Sequence, residues 1–327
     1  MIKKGWKVKA LVVVLMCVFT VTLLSGGLCF AQEERYPAKP IVLVAPWGAG
    51  GGSDCLARTL AAIAPEYLGV PLVVKLRPGA AGTIGAYEVA NTKPDGYTLI
   101  INGQSETTTV PHSREVPYDP IEDFEFICQI GEIPQGFCVW TGHPWESIDE
   151  VVEYAKKNPG KLKIGHSGTG GLGHAQVLQF EQAAGIDVED IPFKGTGPAV
   201  VAAGGGHIDA IIGSFASERP QIQIGNLRPL ACSSSERDPL NPDVPTFKEL
   251  GYDVVMTNLL MLSAPKGTPR DRINYLADAF YKTYENPSWM GLAKKLFIVR
   301  RWAGPEKAKE IVRKEYETVG KIMERLR

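Results

Sequence analysis

Residues Ile41–Ala64 read "IVLVAPWGAGGGSDCLARTLAAIA". A short apolar run leads into Pro46 and Trp47, Gly48, Gly50, Gly51 and Gly52 fall within five positions, and a helix-patterned segment opens at Ser53–Asp54 with Leu56, Leu60, Ile63 and Tyr67 on one face. Glycine at a strand-to-helix junction costs backbone entropy and offers positive φ and close backbone approach in return. Something is expected to touch the main chain here.

The same device recurs in Lys161–Gly185, "KLKIGHSGTGGLGHAQVLQFEQAAG", where a strand runs into Gly168, Gly170, Gly171 and Gly173 and a helix starts at once. Around these two stretches, "PLVVKL", "GYTLIIN", "FEFICQIG", "VEDIPFKG" and "IDAIIGSF" read as further strands. Helix-period segments lie between most of them, among them "SIDEVVEYAKKNPG" with a Ser147-to-Glu150 capping box. Alternating strand and helix implies α/β architecture with mostly parallel sheets. Such sheets bind ligands at the carboxyl ends of their strands, where helix amino termini point free N–H groups outward. Two such loops, one per half, predict a ligand held between two lobes.

Length and charge narrow the class. The 327 residues suggest about two domains, and 35 basic against 36 acidic residues give no reason to expect nucleic acid or an anionic membrane surface as partner. "MIKKGWKVK" followed by the apolar "ALVVVLMCVFTVTLLSGGLCFA" reads as a secretory signal peptide, residues 1–31, cleaved near Ala31. The remaining Cys55, Cys128, Cys138 and Cys232 show neither CxxC nor zinc spacing, so no bridge and no metal are expected.

Elimination narrows the ligand. "GAGGGSD" lacks the Lys of a P-loop, and counting from Gly48 and Gly50 places Ser53 where a dinucleotide fingerprint needs its third glycine. "GHSGT" around Ser167 has Thr169 where a hydrolase elbow needs glycine, and nothing in the sequence supplies an orienting acid, so a serine hydrolase stays the minor reading. What remains is an anion with small, planar oxygens, of which a carboxylate is the commonest; backbone N–H groups hold such an anion without Arg or Lys, and neither loop has a cation.

"YPAKPIVLVAPWGAGGGSDCLAR", "RPGAAGTIGAYEVANTKPDGYTL", "VPYDPIEDFEFI", "NPGKLKIGHSGTGGLGH", "IPFKGTGPAV" and the pair "PDVPTFKELGYDV" and "SAPKGTP" together resemble the periplasmic solute receptors of tripartite tricarboxylate transporters, the Bug-type receptors. The resemblance implies a two-lobed, flytrap-like periplasmic binding protein with lobe 1 over 32–138 and 258–327 and lobe 2 over 139–257. It implies a small organic acid as ligand, membrane permease subunits as partners, no cofactor and no enzymatic activity, and the chain is expected to act as a monomer. A receptor reporting to a sensor kinase is the alternative within binding proteins. By motif position, ligand contact falls on Trp47, Gly50, Gly51, Ser53 and Asp54 in the first loop and on Ser167, Thr169, Gly170 and His174 in the second. "GQSET", "FKGTG" and "GSF" sit at strand ends that would also face the cleft, which adds Ser105, Thr107, Phe193, Gly195, Ser214 and Phe215.

Several of these residues carry two readings. Trp47 is either a cleft floor or core, Asp54 either touches ligand or serves its helix, and His174 is either a ligand contact or a first-turn residue. Three departures from the family pattern bear on specificity: Leu259 and Met261 stand where a Trp and a Gly are usual, Val110 replaces an Asn, and Glu106 replaces a small or neutral residue. Glu106 either enters the cleft, where it opposes a second ligand carboxylate, or is a solvated loop residue.

Overall fold

Two five-stranded sheets of the same internal order organise the chain, which the computed structural model describes over residues 35–49 and 52–325. The signal peptide expected from the sequence lies outside the described residues. The strands are β1 (Ile41–Ala45), β2 (Leu72–Leu76), β3 (Thr98–Asn102), β4 (Phe124–Ile133), β5 (Gln135–Trp140), β6 (Lys163–His166), β7 (Glu189–Pro192), β8 (Ala210–Ser214), β9 (Leu227–Cys232) and β10 (Asn258–Pro265). The principal helices are α1 (Gly52–Ile63), α2 (Pro65–Leu68), α3 (Thr83–Ala90), α4 (Val110–Ser113), α5 (Ile148–Lys157), α6 (Leu172–Ala184), α7 (Thr196–Gly204), α8 (Phe215–Gln223), α9 (Arg270–Glu285), α10 (Pro287–Lys295) and α11 (Pro305–Arg325).

The first sheet runs β2-β1-β3-β10-β4 and the second β7-β6-β8-β5-β9. Each begins with a parallel trio, in which β1 pairs with β2 and β3, and β6 with β7 and β8. Each also holds one reversed strand, β10 between β3 and β4 and β5 between β8 and β9, antiparallel to both neighbours. Four of five strands therefore share a direction in each sheet, and the reversed one is the strand that enters directly from the other sheet. Pro134 alone joins the end of β4 to the start of β5. Since β4 runs with the first trio and β5 against the second, the carboxyl ends of both trios must meet at that junction. Topology by itself thus turns the two glycine loops, after β1 and after β6, toward each other. The sheet change at Pro134 comes four residues before the lobe boundary expected after residue 138, and the chain returns between Cys232 and Asn258.

Burial explains why these segments become strands. β1 is covered on both faces, as a central parallel strand must be, whereas the edge strand β2 alternates and leaves Val73 half-exposed. In β5 the period of two sends Phe137 to one core with Ile164, Phe180 and Phe247, and Cys138 to the opposite one with Ile211 and Phe215. The first sheet packs Val44, Ile100, Phe126 and Met261 against Val312 of α11. Leu259 and Met261 belong to this core, which accounts for their apolar character. Among the described residues Cys55, Cys128, Cys138 and Cys232 form no disulfide. Among the described residues no helix is long and apolar enough to cross a membrane.

Within the compact unit Lys39–Arg327 the two sheets' layers also touch. Leu172 and Ala175 of α6 pack with Met256 of the return crossover and with Val319 and Met323 of α11. A buried polar network binds the crossovers: Gln176 donates to Ser233 Oγ at 2.7 Å and to the Met256 carbonyl at 2.9 Å, and Met256 N–H donates to the Ser233 carbonyl at 2.7 Å.

Candidate functional site between the two glycine loops

Trp47 leaves the end of β1 half-buried, and Gly50 and Gly51 lie outside the described residues. Ser53 is half-buried in the first turn of α1. Asp54 beside it is buried and holds Arg58, one turn on, at 2.7 Å. Its carboxyl group stands at the positive end of α1, where it suits the helix dipole.

The segment after β3 forms a buried π-helical turn, Ser105–Thr109, a conformation found often at functional sites. Its three threonines return their hydroxyls to their own turn; Thr107 donates to the Gly103 carbonyl at 2.6 Å and Thr108 to that of Gln104 at 2.7 Å. Glu106 is fully buried and is not a solvated loop residue. One carboxyl oxygen accepts the Gly103 N–H, while the other has no hydrogen bond of good geometry and lies so close to Gly82 that a side chain there would meet it at 2.9 Å. Burial pushes this carboxyl up to about 7, against the Gly103 N–H, its own backbone N–H and the nearby Trp47 side chain, which favour the charged form.

The second loop, Ser167–Gly171, bridges β6 and α6. His166, wholly buried at the end of β6, receives the Gly168 N–H on Nδ1 at 3.3 Å; His174, in the first turn of α6, receives the Gly170 N–H on Nδ1 at 3.2 Å. The rings stack with centroids 5.0 Å apart, and both Nε2 atoms turn to Asp190 Oδ2 from β7, at 3.3 Å and 3.6 Å. Burial, then the neighbouring His174, lowers the His166 pKa, and burial lowers that of His174, so the environment favours the neutral form of both imidazoles. His166, His174 and Asp190 are close enough together to suggest a metal site. They do not fit one as they stand, because an Nε2 ligand needs its proton on Nδ1, where the Gly168 and Gly170 N–H groups already point.

This loop reaches the other lobe. Leu172 N–H, the first of α6, donates across the cleft to Ser105 Oγ at 3.3 Å, and a side chain at Gly170 would meet Ser113 Oγ of α4 at 2.9 Å. Ser105, Ser167, Thr169, Gly170 and His174 are thereby brought to one place. Phe193 lies partly buried on the second lobe's core beside Gly165. Gly195 caps α7, and Ser214 caps α8 by accepting the Ser217 N–H. Phe215 is 1% exposed and belongs to the second lobe's core. Sequence reasoning did not find Asp190. Only the β6–β7 pairing, which sets Asp190 beside Ile164, brings it to His166, and nothing local in "VEDIP" signals that.

Two α/β lobes of one strand order, joined by crossovers and presenting paired loops to a shared cleft, define a two-lobed solute-binding receptor. The chain belongs to the tripartite tricarboxylate transporter family receptors, whose family model matches residues 56–326. It is 34% identical to the protein BugT of Bordetella pertussis over 258 residues, 78% of this chain and 79% of that protein. It is similar to the structure of MatC from Rhodopseudomonas palustris with bound malate (27% identity, 88% of this chain and all of that chain, TM-score 0.79). It is also similar to an R. palustris protein with adipate (28% identity, 88% and 98%, TM-score 0.81). Carboxylates are thus the ligands bound in two of its structural relatives.

Proposed function

We propose that the chain is an exported, non-enzymatic receptor that closes its lobes on a small organic carboxylate and hands it to membrane permease subunits. In this reading the signal peptide is removed near Ala31 and the mature receptor works as a monomer in the periplasm. One observation carries it: the cation-free second glycine loop and the amino terminus of α6 meet the turn after β3 of the other sheet, at the same end of that sheet from which the first glycine loop leaves β1. The second and third N–H groups of α6, those of Gly173 and His174, have no acceptor within the helix and suit a carboxylate. The relatives' malate and adipate support this ligand class. The histidines speak against Ser167 as a nucleophile, because their Nδ1 atoms hold loop N–H groups and their Nε2 atoms face Asp190, leaving no imidazole lone pair for the serine hydroxyl.

Thermal melts and titration calorimetry with malate, adipate and citrate test the proposal. An acid at about 1,000 times its Kd should stabilise the protein by roughly 4 kcal/mol, with one site and no turnover. Gly170→Val, which places a side chain at φ +77° and against Ser113, should stay folded by circular dichroism and lose that shift. Absence of binding across a wide panel of organic acids, or turnover of an ester abolished by Ser167→Ala, overturns the reading.

A further inference from the structure

The His166, His174 and Asp190 cluster lies directly behind the second glycine loop, and its hydrogen bonds have a definite polarity. A backbone N–H can only donate, so Nδ1 of each ring must carry a lone pair toward Gly168 and Gly170. In a neutral imidazole the proton is then on Nε2, and both Nε2 atoms face one carboxylate oxygen. His166 Nε2–H donates to Asp190 Oδ2 at 3.3 Å, and His174 Nε2 stands 3.6 Å from the same atom. Asp190 therefore favours the tautomer that the loop requires.

We propose that His166 and His174, set in the Nε2–H tautomer by Asp190, are positioning residues that hold the glycine loop in its binding shape, so that protonating them releases the loop and weakens ligand binding. The proposal rests on the reading of that loop as the ligand loop. Its physical core is simple: an imidazolium has N–H on both nitrogens, so protonation turns the Gly168 and Gly170 contacts from hydrogen bonds into opposed donors. Gly168 and Gly170 sit at φ +136° and +77°, among the many angles glycine adopts freely, so the backbone alone does not fix the loop and the imidazole contacts select its shape. Among the described residues, the titratable groups acting on the pair are His174 on His166 and Asp190 from β7 on both rings, and one step further Glu181 of α6, which feels Asp190 and Asp187. Burial lowers both pKa values, which moves the release toward the acid side of the ordinary histidine value.

The test uses the full mature chain with malate or adipate, whichever binds. Nitrogen-15 histidine spectra should show both rings as Nε2–H tautomers near neutral pH; Nδ1–H rings would overturn the assignment whether or not an acid binds. His174→Asn offers an amide oxygen near the Nδ1 position without a titrating group. It should bind within about threefold of wild type at neutral pH, with an acid-side fall shallower by about one proton, while His174→Leu, folded by circular dichroism, should bind about tenfold more weakly at every pH, the scale of one lost hydrogen bond. Comparing the variants with one ligand cancels the ligand's own titration. Wild-type affinity in His174→Leu, or an unchanged acid limb in His174→Asn, overturns the positioning role. So does stoichiometric Zn(II) or Ni(II) binding that His174→Asn abolishes, since it would place a metal where the Nε2 protons belong. A wild type that binds no acid but shows the expected tautomers would instead sink the ligand reading alone.

Discussion

Glu106 shows how a single buried carboxyl ties pH to stability. Its folded pKa of about 7 lies above the ordinary glutamate value, so the folded state holds its proton where the unfolded chain has lost it. The resulting stabilisation is fully present below the ordinary pKa of 4.5 and is lost as pH rises through about 7. At full ionisation the difference amounts to roughly 3 kcal/mol, because each tenfold change in proton affinity is worth about 1.4 kcal/mol. Glu106→Gln keeps the acceptor for Gly103 and removes the charge. It should melt several degrees above wild type near pH 8 and much closer to it near pH 5. A constant difference across that range would mean that the carboxyl does not titrate with folding. Glu218 is the counterpart in the second lobe, four residues past β8 as Glu106 is four past β3, equally buried and with its pKa raised well above the ordinary range by burial. The sequence pairs "QSET" and "ASER" carry this repeat, yet buried acids are uncommon enough that the sequence left cleft entry and loop solvation both open for Glu106.

Among the elements, those with a local signature are the ones the sequence announces. In α5, Ser147 accepts the Glu150 N–H at 3.3 Å while Glu150 accepts the Ser147 N–H at 3.2 Å, the reciprocal cap that its "SIDE" motif encodes. Ser147→Ala should cost about 1 kcal/mol, read as a lower urea midpoint at unchanged slope. An unchanged midpoint would show that packing of Ile148, Val151 and Val152 alone holds this helix. The strand-glycine-helix devices were equally legible, because glycine spacing and apolar runs are contiguous in the chain. The reversed strands β5 and β10 were not, since an apolar run looks the same whichever way it enters a sheet. The histidine-carboxylate cluster was hidden for a related reason: His166, His174 and Asp190 come from three elements and meet only through the β6–β7 register.

At the scale of the molecule, the lobe closure proposed above would be set by the contacts between the lobes. The polar part is small: Leu172 N–H to Ser105 Oγ is one hydrogen bond, worth about 1 kcal/mol net. The apolar part is larger, with Leu172, Ala175 and Met256 against Val319 and Met323, all buried. Ser233 joins the Met256 crossover to the Gln135 carbonyl beside Pro134, and Gln176 ties to both Ser233 and Met256, so rotation about these linked crossovers is the motion the proposal calls for. Val319 lies on α11 and meets α6 at Leu172 and Ala175, so a charge there tests this apolar seam directly. In Val319→Asp a carboxylate would be buried on closure and solvated on opening, a penalty of several kcal/mol against the closed form alone. Each 1.4 kcal/mol is about tenfold in population, so the variant should be mostly open. Small-angle scattering should then give a larger radius of gyration without ligand, shrinking only at acid concentrations well above the wild-type Kd, while Ser105→Ala should move the same balance by about tenfold at most. If Val319→Asp stays folded, scatters like wild type and binds as tightly, the apolar cluster does not set closure, and the hinge must be biased elsewhere in the crossovers.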